Sequence, residues 1–283
     1  MRHFVSRGYI SILSILPLVC FIIVKKLPKG IFATSLALEK IFNFKHKQKI
    51  GNKTIFFHSN NFLSLYRART LMSKEPDTIL WINSFPSNSV FYDIGANVGT
   101  YSIYAALIKK VKSIAIEPSF LNLELLFRNV QTNNLQDKIV IIPLSLALNN
   151  QVATFYMQNG DNIWGGSHNS SGSSVDQEGN LMKYFLTSSQ IEISLDSLIE
   201  IFGLPSPDYI KLDVDGLESQ ILKGAVKSLE RVRSILVEVD KKNTEQGEEI
   251  YKILEGLHFT KVDQFSISSR TKNQIWMKNL QGR

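Results

Sequence analysis

The chain is poor in cysteine. Its single cysteine, Cys20, excludes a disulfide framework and a zinc site built on several thiolates. Absence of disulfides suits folding in a reducing compartment. A run of twenty apolar residues is also missing. Tyr9–Val24 holds 16 residues without a charge, and Pro17 interrupts it. As a helix it would reach about 24 Å, short of the roughly 20 residues that a bilayer core asks for. Low complexity is missing too. Of 283 residues, 44% are hydrophobic, 10% aromatic and 20% charged, the profile of a folded domain with one large core.

Acidic residues are nearly absent from one end. Residues 1–53 hold ten Lys/Arg and one acid, Glu39; residues 54–283 hold 22 bases and 24 acids. The net charge of +7 therefore belongs to an N-terminal arm, while the remainder is nearly neutral. That division speaks against nucleic acid as a partner, because a nucleic-acid enzyme carries its positive charge on the domain that holds the site. The apolar run ends in Lys25-Lys26, not in a small-residue cleavage site, so it fits a signal peptide poorly. Eight lysines follow it up to Lys53. They would hold the main domain on the cytosolic side of a membrane, or would bind an anionic lipid surface with the helix lying in the interface. A helix packed on the domain, with a solvated linker after it, is the alternative.

From residue 88 onward, short apolar runs alternate with amphipathic stretches. Strands are predicted at Val90–Ile94, Ser113–Glu117, Lys138–Pro143, Tyr209–Val214 and Ser234–Val239. Helices are predicted at Val98–Lys110, Leu121–Asn133, about Leu217–Leu229 and about Glu245–Leu257. That rhythm means parallel βαβ units and an α/β sheet covered on both faces. Phe259–Val262 and Gln274–Lys278 would close the chain as a hairpin at the sheet edge. Residues 54–87 read as a cap or lid. Residues 158–180, rich in Gly, Ser and Asn, read as a long loop over the carboxyl edge of the sheet.

The densest information is Phe91-Tyr92-Asp93-Ile94-Gly95-Ala96-Asn97-Val98-Gly99-Thr100-Tyr101-Ser102. A strand ends in an acid, and a glycine turn then opens a helix. Ligands of open α/β sheets bind at such carboxyl ends, where glycines allow close approach and the helix offers free N–H groups. The spacing Gly-x-x-x-Gly is not the Gly-x-Gly-x-x-Gly of dinucleotide sites, and no Lys-Ser/Thr follows as in a phosphate loop. Asp93 would repel a pyrophosphate and suits a cation, such as the ammonium and sulfonium of S-adenosylmethionine. Glu117, ending the second strand, is placed to accept both ribose hydroxyls.

These segments resemble the FkbM-type methyltransferases, S-adenosylmethionine-dependent enzymes with the class I methyltransferase fold. Ala115-Ile116-Glu117-Pro118-Ser119, Ser194-Leu195-Asp196-Ser197-Leu198, Pro207–Gly216, Leu222-Lys223-Gly224-Ala225 and Leu236-Val237-Glu238-Val239 carry the likeness further. Together they span roughly residues 65–240. Asp215 stands where the family often has Glu. The resemblance implies a Rossmann-like sheet of seven strands, the last antiparallel, in a domain over 88–283. It implies that Asp93, Gly95, Asn97 and Gly99, with Thr100 and Tyr101 beside them, line the methionine end of the cofactor. It implies that Glu117 holds the ribose with Pro118 beside it in the cofactor site, that Ser145-Leu146-Ala147 flank the adenine, and that Glu75 closes over the cofactor. It also implies O-methylation of a saccharide, glycolipid or natural-product hydroxyl.

A hydroxyl acceptor must lose its proton near the transition state. Strand alternation would put Asp213 and Asp215 on one side of their strand, so both are candidate bases. His168, in the Gly/Ser-rich stretch, is a third. The two aspartates with Glu238 would also offer ligands to a Mg²⁺ ion. Against this, Asp215-Gly216 would cap a helix and Glu238 would pair with Lys211. Trp164 would stack on a sugar. His58, Arg67 and Arg69 would meet an anionic substrate or the cofactor carboxylate, or stay at the surface. Two rival functions are an NAD-binding oxidoreductase and a catalytically silent binding module tethered by the basic arm.

Overall fold

A computed structural model describes residues 44–158, 165–166, 170–171, 184–240, 243–267 and 272–279. The predicted helix over residues 9–24, Trp164 and His168 lie outside these residues. No helix among the described residues is long and apolar enough to cross a membrane.

The described chain opens with a hairpin, β1 (Phe44–Ile50) and β2 (Lys53–Ser59), which straddles the predicted boundary at residue 53. Lys45, Lys47 and Lys49 alternate onto its exposed face. Lysines in this position protect an unpaired strand edge, so part of the arm's charge has a structural use. Two helices follow, α1 (Phe62–Arg69) and α2 (Pro76–Asn83). An Asn61–Ser64 capping box starts α1. Helix α2 is a core layer and not a lid. It buries Trp81, whose Nε1 donates to Ser234 Oγ at 2.9 Å.

Then come β3 (Val90–Ile94), α3 (Thr100–Tyr104), β4 (Lys112–Ile116), α4 (Phe120–Thr132) and β5 (Ile139–Ile142). The predicted helix Val98–Lys110 is shorter at its start and ends in a π-turn, Ala105–Lys109. Next are β6 (Ser145–Leu146), β7 (Gln151–Gln158), β8 (Ser170–Ser171), β9 (Tyr184–Ile193) and α5 (Leu195–Phe202). The last elements are β10 (Tyr209–Leu212), α6 (Glu218–Lys223), α7 (Val226–Leu229), β11 (Ser234–Glu238), α8 (Thr244–Gly256), β12 (Phe259–Val262) and β13 (Asn273–Lys278). The predicted single helix 217–229 is thus two. Asp196 takes the N–H groups of Lys227 and Ser228, starting α7 afresh.

The main sheet has seven strands in the order β12-β13-β11-β10-β3-β4-β5. Strand β13 runs antiparallel to both neighbours, and the other contacts are parallel. The predicted hairpin exists, but its second strand inserts between β11 and β12, leaving β12 at the edge. Side chains of β3 alternate between two cores. Phe91 enters one with Trp81, Phe85 and Leu126; Tyr92 enters the other with Ile114, Leu198 and Ile210. Burial on both faces is why the run reads as continuously apolar. Chain order turns outward in opposite directions from β3 and β10, so the crevice of such a sheet opens between their carboxyl ends.

A second sheet, β6-β9-β7-β8, brackets the predicted long loop, which contributes Gln158 at the end of β7 and Ser170–Ser171 as β8. Its strands β7 and β9 pair antiparallel from Gln151↔Glu192 to Gln158↔Tyr184. Phe155 and Met157 face inward and are buried.

Candidate functional site

A cavity of about 260 Å³ opens at the β3–β10 crevice, and a pocket of about 30 Å³ adjoins it. Both are walled by Arg67, Lys74, Glu75, Gly95, Asn97 and Asp213. The Gly95 turn makes the crevice possible. Gly95 has φ +80°, and a methyl there would lie 1.9 Å from the Asp213 backbone oxygen. The β3 and β10 loops therefore touch backbone to backbone at this point.

Glu117, just past β4, is 4% exposed and lines the larger cavity. Its Oε1 accepts from Ser119 N at 2.9 Å and Asn122 Nδ2 at 3.2 Å, and its Oε2 accepts from Asn97 N at 2.8 Å. Burial pushes this carboxyl up, and the three donors with the Arg67 charge oppose that push. Pro118 and Leu146 line the same cavity. Ala147 does not, and its N–H donates to Ile193 O at 3.1 Å.

Asp93 is placed differently from the expectation. It is 1% exposed and is absent from the lining of both cavities. Its Oδ2 accepts from Ser102 Oγ at 2.6 Å and from Ser102 N at 3.0 Å. The acid points back beneath the turn and ties β3 to α3. Gly99 also faces away, serving as the left-handed N-cap of α3. Thr100 and Tyr101 reach only the smaller pocket. Glu75 lines both, bonded to Lys74 Nζ at 2.9 Å and Asn273 Nδ2 at 3.2 Å. Burial would raise its pKa, but the charges of Lys211 and Lys74 with the Lys74 hydrogen bond together hold it below the ordinary value.

Lys211 is the buried cation of the site. Its side chain is 1% exposed, its Nζ lies 2.5 Å from Asp213 Oδ2, and it stands 5.2 Å from the Tyr101 ring centroid. Burial opposes its charge, yet Asp213, Asp93 and Glu75 together keep it protonated. The same ion pair overcomes burial at Asp213 and holds that carboxyl well below the usual range. The expected Glu238–Lys211 pair is not formed. Glu238 instead shares a hydrogen bond with Asp213, and burial followed by that neighbour's charge pushes it up to about 8.

Strand β10 ends at Leu212, so alternation is not what aligns Asp213 with Asp215. Asp215 sits in a left-handed turn at φ +59°, and both nevertheless line the cavity. The N–H groups of Val214 and Gly216 are taken by Glu218, not by Asp215. Burial pushes Glu218 up to about 7. The possible Mg²⁺ ligand set of Asp213, Asp215 and Glu238 finds no support. No cluster of three or more His, Cys, Asp or Glu among the described residues is arranged for a metal.

His58 is buried and away from the cavity, 2.7 Å from Thr132 Oγ1. It joins β2 to α4. Arg69 is exposed, while Arg67 lines both cavities. Sequence reasoning missed Asn122, Phe155, Gly166 and Asn273 as lining residues. The one available signal was the alternation of Phe155 and Met157 with polar neighbours.

A family model described as the methyltransferase FkbM domain matches residues 93–262. The hexuronic acid methyltransferase AglP of Haloferax volcanii is 25% identical over 175 residues, which cover 62% of this chain and 66% of that protein. The match thus spans just under two thirds of the relative's length. Among solved structures, the chain is similar to a precorrin-6y C5,15-methyltransferase of Geobacter metallireducens (TM-score 0.43, 13% identity, 75% of this chain and 92% of that one). It is similar also to TYW2 of M. jannaschii in complex with AdoMet (TM-score 0.40, 12% identity, 83% and 87%). With the family match spanning more than half its length, the chain belongs to the FkbM methyltransferase domain family.

Proposed function

We propose that this chain is an S-adenosylmethionine-dependent O-methyltransferase acting on a sugar hydroxyl. The observation that carries the cofactor is the Glu117 carboxylate, fixed by three N–H donors at the mouth of the β3–β10 crevice. Such an acceptor suits a ribose diol. Asp213 and Glu75 would hold the ammonium group, and Pro118 and Leu146 would flank the base. The donor set therefore fits the cofactor, with the acid at the diol position supplied by Glu117 and none of the binding assigned to Asp93. When bound, the cofactor supplies an electrophilic methyl group on a sulfonium that leaves as a neutral thioether.

The protein's own work is to align, to exclude water and to take a proton. Asp213 is a weak base because Lys211 holds its charge. Glu238 is the better proton acceptor, since a base works best with a pKa near the operating pH and its carboxyl is pushed up to about 8. Asp215 lines the cavity beside them. A saccharide acceptor is supported by the similarity to the hexuronic acid methyltransferase of Haloferax volcanii.

Calorimetric titration of S-adenosylmethionine and S-adenosylhomocysteine into the full chain tests the cofactor. Binding in the micromolar range is expected; a folded sample that binds neither would end this reading. Mass spectrometry of uronic acids and neutral sugars after incubation with the cofactor tests the acceptor.

A further inference from the structure

Arg67 belongs to α1, far in sequence from the β3 and β4 turns, yet it reaches the cavity. Its Nε donates to Gly165 O at 2.6 Å. The Gly165 N–H donates to Asn122 Oδ1 at 2.8 Å. Gly166 O accepts from Asn97 Nδ2 at 2.7 Å and from Asn122 Nδ2 at 3.2 Å. Both asparagines also hold Glu117, Asn122 through its side-chain amide and Asn97 through its backbone N–H. The bonds form one connected path from Arg67 through Gly165 and Gly166 to the two oxygens of Glu117.

The path is closely packed. Gly165 has φ +81°, and a methyl there would lie 3.2 Å from both the Cα and the N of Ser64. Ser64 is itself fixed by the capping box of α1. A side chain at Gly165 would therefore push the segment away from Arg67 and from Asn122.

We propose that Arg67 is a positioning residue for the Glu117 carboxylate, acting through the Gly165–Gly166 segment and Asn122. It rests on the cofactor reading above, because Glu117 is the group that takes the ribose diol there. Hydrogen-bonded paths of this kind lock a carboxylate's rotamer, and each bond to a charged group is stronger than a neutral one. Arg67 has a second effect through space: its charge favours the ionised form of Glu117, which burial disfavours. Other charged groups lining the cavity are Lys74 and Glu75 ahead of α2, Asp213 and Asp215 after β10, and Glu238 ending β11. An ionised Glu117 can accept from both hydroxyls, whereas a protonated one loses that capacity.

The test is calorimetric titration of S-adenosylhomocysteine from pH 5.5 to 8 into wild type, Arg67→Ala, Arg67→Lys and Gly165→Ala, with thermal melts of each. Arg67→Ala is expected to weaken binding about tenfold at pH 7, and more at pH 5.5, because loss of the cation raises Glu117 further. Arg67→Lys restores the charge and a donor, and is expected to recover most of the affinity. Gly165→Ala is expected to weaken binding with Arg67 still present, and stands in should Arg67→Ala fail to fold. Variants that bind like wild type across the pH range overturn the proposal. So does a loss that is independent of pH and not rescued by lysine. Absence of binding by folded wild type is a different result, and removes the cofactor reading together with this one.

Discussion

Lys211 Nζ and Asp213 Oδ2 lie 2.5 Å apart at the end of β10, the lysine 1% and the aspartate 29% exposed. The lysine carries no solvent contact of note, and the aspartate opens onto the cavity. One ion pair thereby couples the sheet interior to the site. Beside it, burial and then the charge of Asp213 push the Glu238 carboxyl up to about 8.

Removing that lysine should be costly. Lys211→Met leaves Asp93 buried without its counter-charge and releases Asp213. Breaking a buried pair by deleting one partner costs about 3 kcal/mol or more. Urea denaturation should register that loss, and a change below about 0.5 kcal/mol would show that the pair is not what neutralises the interior.

Stability should fall as pH rises through the range set by Glu238. Its folded pKa is about 8 against an ordinary 4.5, so between those values the folded state binds more protons than the unfolded one. The stabilising contribution is full below about pH 4.5 and lost by about pH 8. Glu238→Gln cannot ionise and should flatten this slope, gaining on the order of 1 kcal/mol over wild type at pH 8 but not at pH 5. Melts of both proteins across that window decide the point. In the same window, methyl transfer by wild type should rise with pH and by Glu238→Gln should be lost.

Asp93 and Glu117 should separate. Glu117→Gln should weaken S-adenosylhomocysteine binding at least tenfold, and because its amide N–H2 would face a donor that the carboxylate now accepts from, it should also cost about 1–3 kcal/mol in the melt. Asp93→Ala removes the acceptor of two Ser102 bonds and should cost about 2 kcal/mol, since buried donors left unpaired lose about 1–3. Its folded fraction should bind within about threefold of wild type. Equal effects of the two substitutions on affinity would return Asp93 to the ligand.

Gly95→Ala should be the most damaging small change at the site. The backbone is left-handed, and the new methyl would overlap the Asp213 backbone oxygen at 1.9 Å. A cost above about 2 kcal/mol, with loss of binding, is expected. A stable, binding-competent variant would mean that the β3 and β10 loops can separate without harm.

Much of the fold was legible because its signals are local. Val90–Ile94 and Phe259–Val262 occur where the apolar runs predicted them. The hairpin's insertion was not legible, because nothing in Asn273–Lys278 states that it pairs with β11 as well as β12. The second sheet was hidden for a related reason: β7 and β9 are partners separated by the Gly/Ser-rich stretch. Glu117 could be picked out from its place after a strand. Asn122 could not, since an asparagine in the second helix carries no mark of its carboxylate partner.

The sequence by itself determined the α/β class, the parallel strands and the glycine turn that opens the crevice. Periodicity and turn chemistry act within a few residues, so they can be read along the chain. Tertiary structure alone decided how the acids divide their roles. Asp93 turns beneath the loop to Ser102, Glu117 faces the cavity, and Asp213 takes Lys211 while Glu238 keeps a proton. Which carboxyl is desolvated, paired or open to a ligand depends on groups brought from distant segments, as Arg67 is brought to Gly165.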